Sequence, residues 1–183
     1  MTTSPRTDRF YLDKSDPTIW KALGGFALQV RDAAEAAGLD RALVELVSVR
    51  ISQLNGCAFC LDLHTRLARE AGQTEQRLAV LPAWREAGIF SDLEQAALVV
   101  AEAATILPDE ETRLADLDGA RNLLTDAQYS ALQWLAIAMN AYNRVSILSR
   151  HAVREQKASS EPAGAGTPPA QGTEPAAATA PSA

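Results

Sequence analysis

Both cysteines of the chain and one of its two histidines lie within eight residues. They are Cys57, Cys60 and His64, in the stretch 55–64, which reads NGCAFCLDLH. If a helix begins near Cys57, a rotation of about 100° per residue places the three side chains along one stripe. An imidazole one turn beyond Cys60 could take its proton, and the amides at a helix start favour thiolate over thiol.

These three side chains supply the parts of thiol redox chemistry. A thiolate can act as the nucleophile and the imidazole as the base, and a second thiol can close a disulfide onto an oxidised first one. The alternatives are two buried structural cysteines or a zinc site. Zinc usually takes four ligands, and we expect the other histidine, His151, at the surface near the end of the last helix. The sequence therefore favours redox chemistry and predicts neither a metal nor a cofactor.

Glu45, in the helix before the cysteines, is a candidate partner for His64. Residues 42–49 read ALVELVSV, which is apolar almost all round, so Glu45 is expected to be mostly buried. A buried carboxylate needs a partner, and a catalytic histidine is a suitable one. A solvated glutamate, or an ion pair with Arg41 or Arg50, is the alternative, and spacing alone does not decide between them.

The composition indicates an alanine-rich helical scaffold. The 183 residues include 35 alanines, and 47% are hydrophobic but only 5% aromatic. This length suits one domain, and so much alanine favours closely packed helices. A net charge of −6 argues against a nucleic-acid partner, because phosphate binding needs a basic face. Two cysteines also exclude a disulfide-rich secreted scaffold.

Local start and stop signals predict an all-α fold of about six to seven helices, without strands. Helix starts are expected near seven polar residues: Asp16, Asp40, Cys57, Thr74, Ser91, Asp109 and Thr125. Stops are expected at or near Gly38, Gly56, Gly72, Gly88, Pro108, Gly119 and Glu155. The Gly24-Gly25 pair could allow a close helix crossing or a break.

The composition changes after a predicted helical domain of residues 1–156. Of residues 157–183, 23 are Ala, Pro, Gly, Ser or Thr, so this segment is predicted to be a disordered tail. Residues 1–10 lack the apolar core of a secretory signal, and no window approaches the roughly 20 apolar residues that cross a bilayer. We therefore expect a cytoplasmic protein that makes no membrane contact and whose thiols start reduced.

For two asparagines and the three tryptophans, the sequence supports only less specific predictions. Asn140 and Asn143 lie in an otherwise apolar stretch and should form buried hydrogen bonds, at a subunit contact or beside the active site. The three tryptophans, Trp20, Trp84 and Trp134, are interpreted as core or interface residues, since no spacing links them to the cysteines.

The four candidate site residues resemble a known family in their spacing. In AhpD-like alkylhydroperoxidases of the carboxymuconolactone decarboxylase superfamily, a glutamate precedes the first cysteine of a CxxC pair by twelve residues. A histidine follows the second cysteine by four. Glu45, Cys57, Cys60 and His64 occupy those places here, and the resemblance extends over roughly residues 39–150. It includes two further stretches that look like family sequence, RISQLNGC and NAYNR.

The resemblance implies an all-helical homo-oligomer, a trimer or a hexamer, that reduces hydroperoxides. Cys60 would attack the peroxide and become a sulfenic acid, and Cys57 would then close a disulfide with it. An external dithiol or a thioredoxin-like partner would restore both thiols. His64, oriented by Glu45, would promote formation of the Cys60 thiolate and relay protons to the leaving oxygen.

Two details of this assignment are open to other interpretations. The position at the helix start alone favours Cys57 as the nucleophile, whereas the His64 spacing and the family favour Cys60. Some family members also carry a histidine immediately before the second cysteine, where this chain has Phe59. A phenyl ring cannot relay a proton, so the relay must be simpler here. Phe59 is expected in the core rather than at an apolar substrate entrance.

Two other functions could use the same residues. A non-catalytic redox sensor or disulfide-exchange protein would use the cysteine pair stoichiometrically. A decarboxylase or isomerase of the same superfamily would use Glu45 and His64 as acid and base, with structural cysteines. The superfamily's decarboxylases generally lack the cysteine pair, which weighs against that alternative.

Overall fold

The computed structural model describes residues 9–155, and the described residues up to Val153 form one compact unit. Within them the fold is all-α, as predicted, with no strand and no helix long and apolar enough to cross a membrane. Seven of the described helices have six or more residues, which confirms the expected number. The predicted disordered tail, residues 157–183, lies outside the described residues.

The helices follow one another closely along the chain. In order they are α1 (Leu12–Ser15), α2 (Pro17–Ala36), α3 (Arg41–Asn55), α4 (Ala58–Glu70), α5 (Glu75–Val80), α6 (Trp84–Ala87), α7 (Asp92–Ile106), α8 (Glu110–Arg121) and α9 (Asp126–Ser149). The predicted caps are present. Asp16 and Asp40 accept hydrogen bonds from first-turn amides, and Ser91 and Thr125 form complete capping boxes. Short polar signals therefore determine where these helices start.

The single helix expected from Thr74 to Gly88 is interrupted. Pro82 cannot donate a backbone hydrogen bond and its ring obstructs the preceding turn, so the segment divides into α5, a 3-10 turn and α6. The Gly24-Gly25 pair, in contrast, does not break α2, which is continuous. Glycine weakens a helix, whereas proline stops it.

Two other helix ends differ from the prediction. α8 continues through Gly119 to Arg121, because one glycine costs only about 1 kcal/mol inside a helix. α9 ends at Ser149 rather than near Glu155, since Arg150 adopts a left-handed conformation with φ 53°. The residues after α9 are thereby turned away from the helix axis.

Helix α3 lies at the centre of the fold and contacts α4, α7 and α9. Eight of its fifteen residues are buried, including Glu45, Ser48 and Ser52. Buried polar groups need hydrogen-bond partners, and those of α3 find them both within the helix and on its neighbours. The neighbouring helices are therefore joined to α3 by polar contacts as well as by apolar packing.

Glu102 of α7 is the buried carboxylate of one such contact. Arg50 Nε donates to its Oε1 at 2.7 Å, Trp84 Nε1 donates to the same oxygen at 2.9 Å, and Arg85 donates to Oε2. Burial raises the pKa of Glu102, but the hydrogen bonds from Trp84, Arg85 and Arg50 outweigh burial and hold that pKa below its usual value. Trp84 is thus a core residue, and the cluster joins α3, α6 and α7.

A cluster of amides joins the end of α3 to α9. Asn55 Nδ2 donates to Oδ1 of Asn140 at 2.9 Å and to Oδ1 of Asn143 at 2.8 Å. Asn143 is fully buried and donates to Ser52 Oγ at 3.3 Å, while Asn140 donates to Thr105 Oγ1 at 2.9 Å. The predicted buried hydrogen bonds are confirmed. They hold the last residues of α3, immediately before the cysteines.

We expect Glu102→Ala to lower the free energy of unfolding by about 3 kcal/mol, because it leaves the mostly buried Arg50 guanidinium without its counter-charge. Urea denaturation at pH 7 measures the loss. Glu70→Ala is the matched control, since the Glu70–Arg41 pair is more than half exposed and should contribute less than about 1 kcal/mol. Equal losses in the two variants would contradict the prediction.

Asn143→Ala should destabilise the protein by about 1–3 kcal/mol, because it removes an acceptor of Asn55 and the donor to Ser52 in a buried site. Asn122→Ala, at the exposed end of α8, should change the stability much less. Thermal unfolding of both variants tests this. A fully stable Asn143→Ala protein would show that α9 docks without the amide cluster.

Candidate active site

The cysteines follow the turn between α3 and α4. Gly56 adopts a left-handed conformation, φ 66°, which glycine tolerates because it has no Cβ. The Cys57 amide then donates back to the Ser52 carbonyl at 3.1 Å, which closes the end of α3. Cys57 becomes the N-cap of α4, so the helix begins next to the first cysteine as predicted.

Cys57 and Cys60 are joined in a disulfide, with their Cα atoms 5.4 Å apart. Cys57 Sγ also accepts a hydrogen bond from the Cys60 amide at 3.3 Å, within the first turn of α4. Both residues are buried, at 2% and 3% exposure respectively. In residues 9–155 no group of three or more His, Cys, Asp and Glu side chains is arranged to hold a metal ion.

Glu45 and His64 form a close pair between α3 and α4. His64 Nδ1 lies 2.7 Å from Glu45 Oε2, and both side chains are mostly buried. A carboxylate oxygen can only accept, so Nδ1 carries a proton, and in a neutral imidazole Nε2 is then the acceptor. Arg41 and Arg50, the other partners considered for Glu45, pair with different carboxylates. The histidine is therefore the partner of this buried glutamate.

A cavity of about 500 Å³ brings the acid–base pair and one cysteine together. Glu45, His64 and Cys60 line it, whereas Cys57 is not among the described residues that do so. Most of the other lining side chains are apolar and come from α2, α3, α4 and α9; they include Trp20, Val30, Leu63, Leu135, Met139 and Tyr142. The cavity can therefore present an apolar molecule to Cys60.

Phe59 lies at this cavity and not in the core, so its expected position is wrong. Its side chain is 37% exposed and lines the cavity beside Cys60. Its ring meets that of His151 edge-on, with centroids 5.2 Å apart. Successive residues of a helix point about 100° apart, so burial of Cys60 does not require burial of its neighbour.

His151 lines the cavity and does not lie at the surface near the end of α9, where the sequence predicts it. Its side chain is 17% exposed and lines the same cavity, because the residues after Arg150 fold back and the His151 amide donates to the Ser146 carbonyl. The ring contacts Asp13 through Nε2 at 3.1 Å and Ser146 through Nδ1 at 3.2 Å. No local spacing could indicate this, since Asp13 is 138 residues away.

Comparisons with known proteins identify the family. The carboxymuconolactone decarboxylase family matches residues 21–103, which contain all four candidate site residues. YdfG of Bacillus subtilis, an uncharacterized protein, is 39% identical over 111 residues, which are 61% of this chain and 76% of YdfG. YnjA of Escherichia coli, also uncharacterized, is 37% identical over 109 residues, which are 56% of this chain and 59% of YnjA.

Other relatives carry a functional name. The alkyl hydroperoxide reductase AhpD of Mycobacteroides abscessus is 38% identical over 63 residues, and the chain spans only 35% of its length. A crystal structure of a protein of unknown function from Agrobacterium tumefaciens, whose description relates it to the antioxidant defence protein AhpD, has a TM-score of 0.70 at 25% identity. That match covers 81% of this chain and 99% of the other. The chain belongs to the carboxymuconolactone decarboxylase family, in the AhpD-like branch that carries a CxxC pair.

Proposed function

We propose that the protein is a thiol-dependent hydroperoxide reductase that cycles through the Cys57–Cys60 disulfide. The observation that carries this proposal is the shared cavity: Cys60, bonded to Cys57, lines it together with the Glu45–His64 pair. A nucleophile, a base and a resolving thiol are thereby available at one site. Relatives named alkyl hydroperoxide reductase AhpD support the same chemistry.

In the first step, the Cys60 thiolate attacks the terminal oxygen of the hydroperoxide. His64 Nε2 takes the thiol proton, while Glu45 acts as a positioning residue that holds the other ring proton on Nδ1. The S–O bond forms as the O–O bond breaks. The products are a Cys60 sulfenic acid and, once the leaving oxygen has taken a proton, an alcohol.

In the second step, Cys57 acts as the resolving thiol. Its sulfur attacks Cys60 Sγ, so the S–S bond forms, the S–O bond breaks and hydroxide leaves as water after protonation. The first turn of α4 favours a Cys57 thiolate, because amides at a helix start stabilise negative charge. Stabilisation of a thiolate at the start of the helix, which taken alone favours Cys57 as the nucleophile, therefore suits Cys57 equally well to resolve the sulfenic acid.

The disulfide needs two electrons to reopen, and we propose a dithiol or a thioredoxin-like protein of the reducing cytoplasm as their source. We also propose a homo-oligomer, a trimer or a hexamer. Large apolar side chains are exposed along α2 and α9, among them Leu28, Trp134, Ile137 and Leu148. Packing against further copies would remove this surface from water, which suits Trp134 to an interface position.

Adding cumene hydroperoxide to the fully reduced protein should remove two free thiols per chain. Cys60→Ser should lose none, because Cys57 does not attack the peroxide. Cys57→Ser should lose one and retain a sulfenic acid that dimedone traps. Thiol titration and mass spectrometry measure these outcomes, and unchanged thiols at excess peroxide would overturn the proposal.

Continued consumption of peroxide distinguishes a peroxidase from the alternative functions, which are a redox sensor, a disulfide-exchange protein and a decarboxylase or isomerase. With a dithiol supplied, the wild-type protein should keep consuming peroxide, whereas a redox sensor or disulfide-exchange protein would be oxidised once. Removing both cysteines should abolish peroxide consumption. A decarboxylase or isomerase that relies on Glu45 and His64 would instead retain its activity without the cysteines.

Glu45→Gln should slow oxidation of the Cys60 thiol on the order of 100-fold, because the neutral amide no longer faces the imidazolium that forms on His64. Single-turnover thiol loss at pH 7 measures the rate. Raising the pH should recover much of the lost oxidation rate, because it ionises the Cys60 thiol directly. A higher pH would not recover the rate if the substitution had misfolded the site. Glu70→Gln, an exposed carboxylate on α4, is the control; if it slows the reaction equally, the role of Glu45 is wrong.

A further inference from the structure

A second chain of hydrogen-bonded side chains ends at the cavity of Cys60. His151 Nε2 lies 3.1 Å from Asp13 Oδ1, and His151 Nδ1 lies 3.2 Å from Ser146 Oγ. All three residues line the cavity. A carboxylate, an imidazole and a hydroxyl in this order can transfer a proton from the ring to the hydroxyl, because a hydroxyl both accepts and donates.

The N-terminal segment holds this chain in place. The Leu12 amide donates to Ser149 Oγ at 2.9 Å, which fixes α1 against the end of α9. The Tyr11 ring stacks on the His151 ring with centroids 5.8 Å apart, and Phe59 packs against the same ring. The imidazole is therefore oriented by its neighbours as well as by its hydrogen bonds.

Ser146 differs from the other hydroxyls that line the cavity. Ser48 donates its proton to the Val44 carbonyl at 2.8 Å, and Tyr142 donates to the Leu23 carbonyl at 3.2 Å. Both of those protons are held by the backbone. The Ser146 hydroxyl is bonded instead to a ring nitrogen that can replace its proton.

We propose that Ser146 donates the proton to the leaving oxygen of the hydroperoxide, that His151 replaces the proton on Ser146, and that Asp13 is a positioning residue that orients His151. This role rests on the peroxidase function proposed above. An alkoxide is a strong base, and apolar walls stabilise it poorly, so a donor in the cavity lowers the barrier to O–O cleavage. His64 then has only to accept the thiol proton.

In this step His151 starts as an imidazolium. Its Nε2–H donates to Asp13 and its Nδ1–H donates to Ser146. The Cys60 thiolate attacks the terminal oxygen, the S–O bond forms, and the O–O electron pair passes to the leaving oxygen. Ser146 gives its proton to that oxygen and takes the Nδ1 proton. The products are a sulfenic acid, an alcohol and a neutral His151, which regains a proton from water.

Two oxidants with different leaving groups test this role. Cumene hydroperoxide releases a strongly basic alkoxide, whereas peracetic acid releases acetate, which needs no proton. In single-turnover oxidation of the reduced protein, Ser146→Ala and His151→Gln should slow the reaction with cumene hydroperoxide on the order of 100-fold. The rates with peracetic acid should stay close to wild type, and Asp13→Asn should show the same selectivity to a smaller extent.

Ser48→Ala is the matched control, because it removes a hydroxyl from the same cavity whose hydrogen bond goes to the Val44 carbonyl of its own helix and not to Asp13, His151 or Ser146. It should keep the wild-type ratio of the two rates. If Ser146→Ala slows both oxidants equally, or neither, the inference is wrong while the peroxidase function stands. If neither oxidant removes thiols from the wild-type protein, the proposed function fails and the inference fails with it.

Discussion

Helix α3 is buried on almost every side, so the polar groups it carries must find partners inside the protein. Several of these partners lie on neighbouring helices. Glu45 bonds to His64 of α4, whereas Arg50 bonds to a carboxylate of α7 and Asn55 to two amides of α9. Each of these contacts fixes one neighbour against α3. The contact with α4 is also the one that places a base near a cysteine.

The two cysteines differ in what they face and not in how much they are exposed. Both are almost fully buried, but only Cys60 lines the cavity, while Cys57 caps the helix that carries them. One short turn thereby gives two chemically identical thiols different surroundings. Their surroundings suit one to meet a substrate and the other to stabilise negative charge at a helix start.

The parts of the site that depend on short spacing could be predicted from the sequence. Cys57, Cys60 and His64 lie within two helical turns, and the apolar residues around Glu45 indicated a buried carboxylate. The hydrogen-bonded side chains of Asp13, His151 and Ser146 at the other wall could not be predicted, because Asp13 and His151 come from opposite ends of the described residues. The all-α fold could be predicted from helix caps and glycines. The end of α9 could not, because it depends on the left-handed conformation of Arg150, and arginine is not a residue type that indicates this conformation.

Two hydrogen-bonded pairs line the cavity, and they differ in how many residues of the chain separate their members. The Glu45–His64 contact spans 19 residues, whereas the Asp13–His151 contact spans 138. A contact between distant residues requires a long loop to close and exists only when both of its ends have been made. During synthesis, α3 and α4 are complete before α9 leaves the ribosome. The nascent chain therefore carries its thiols for a time without the last helix, which shares one buried core with both cysteines in the folded protein.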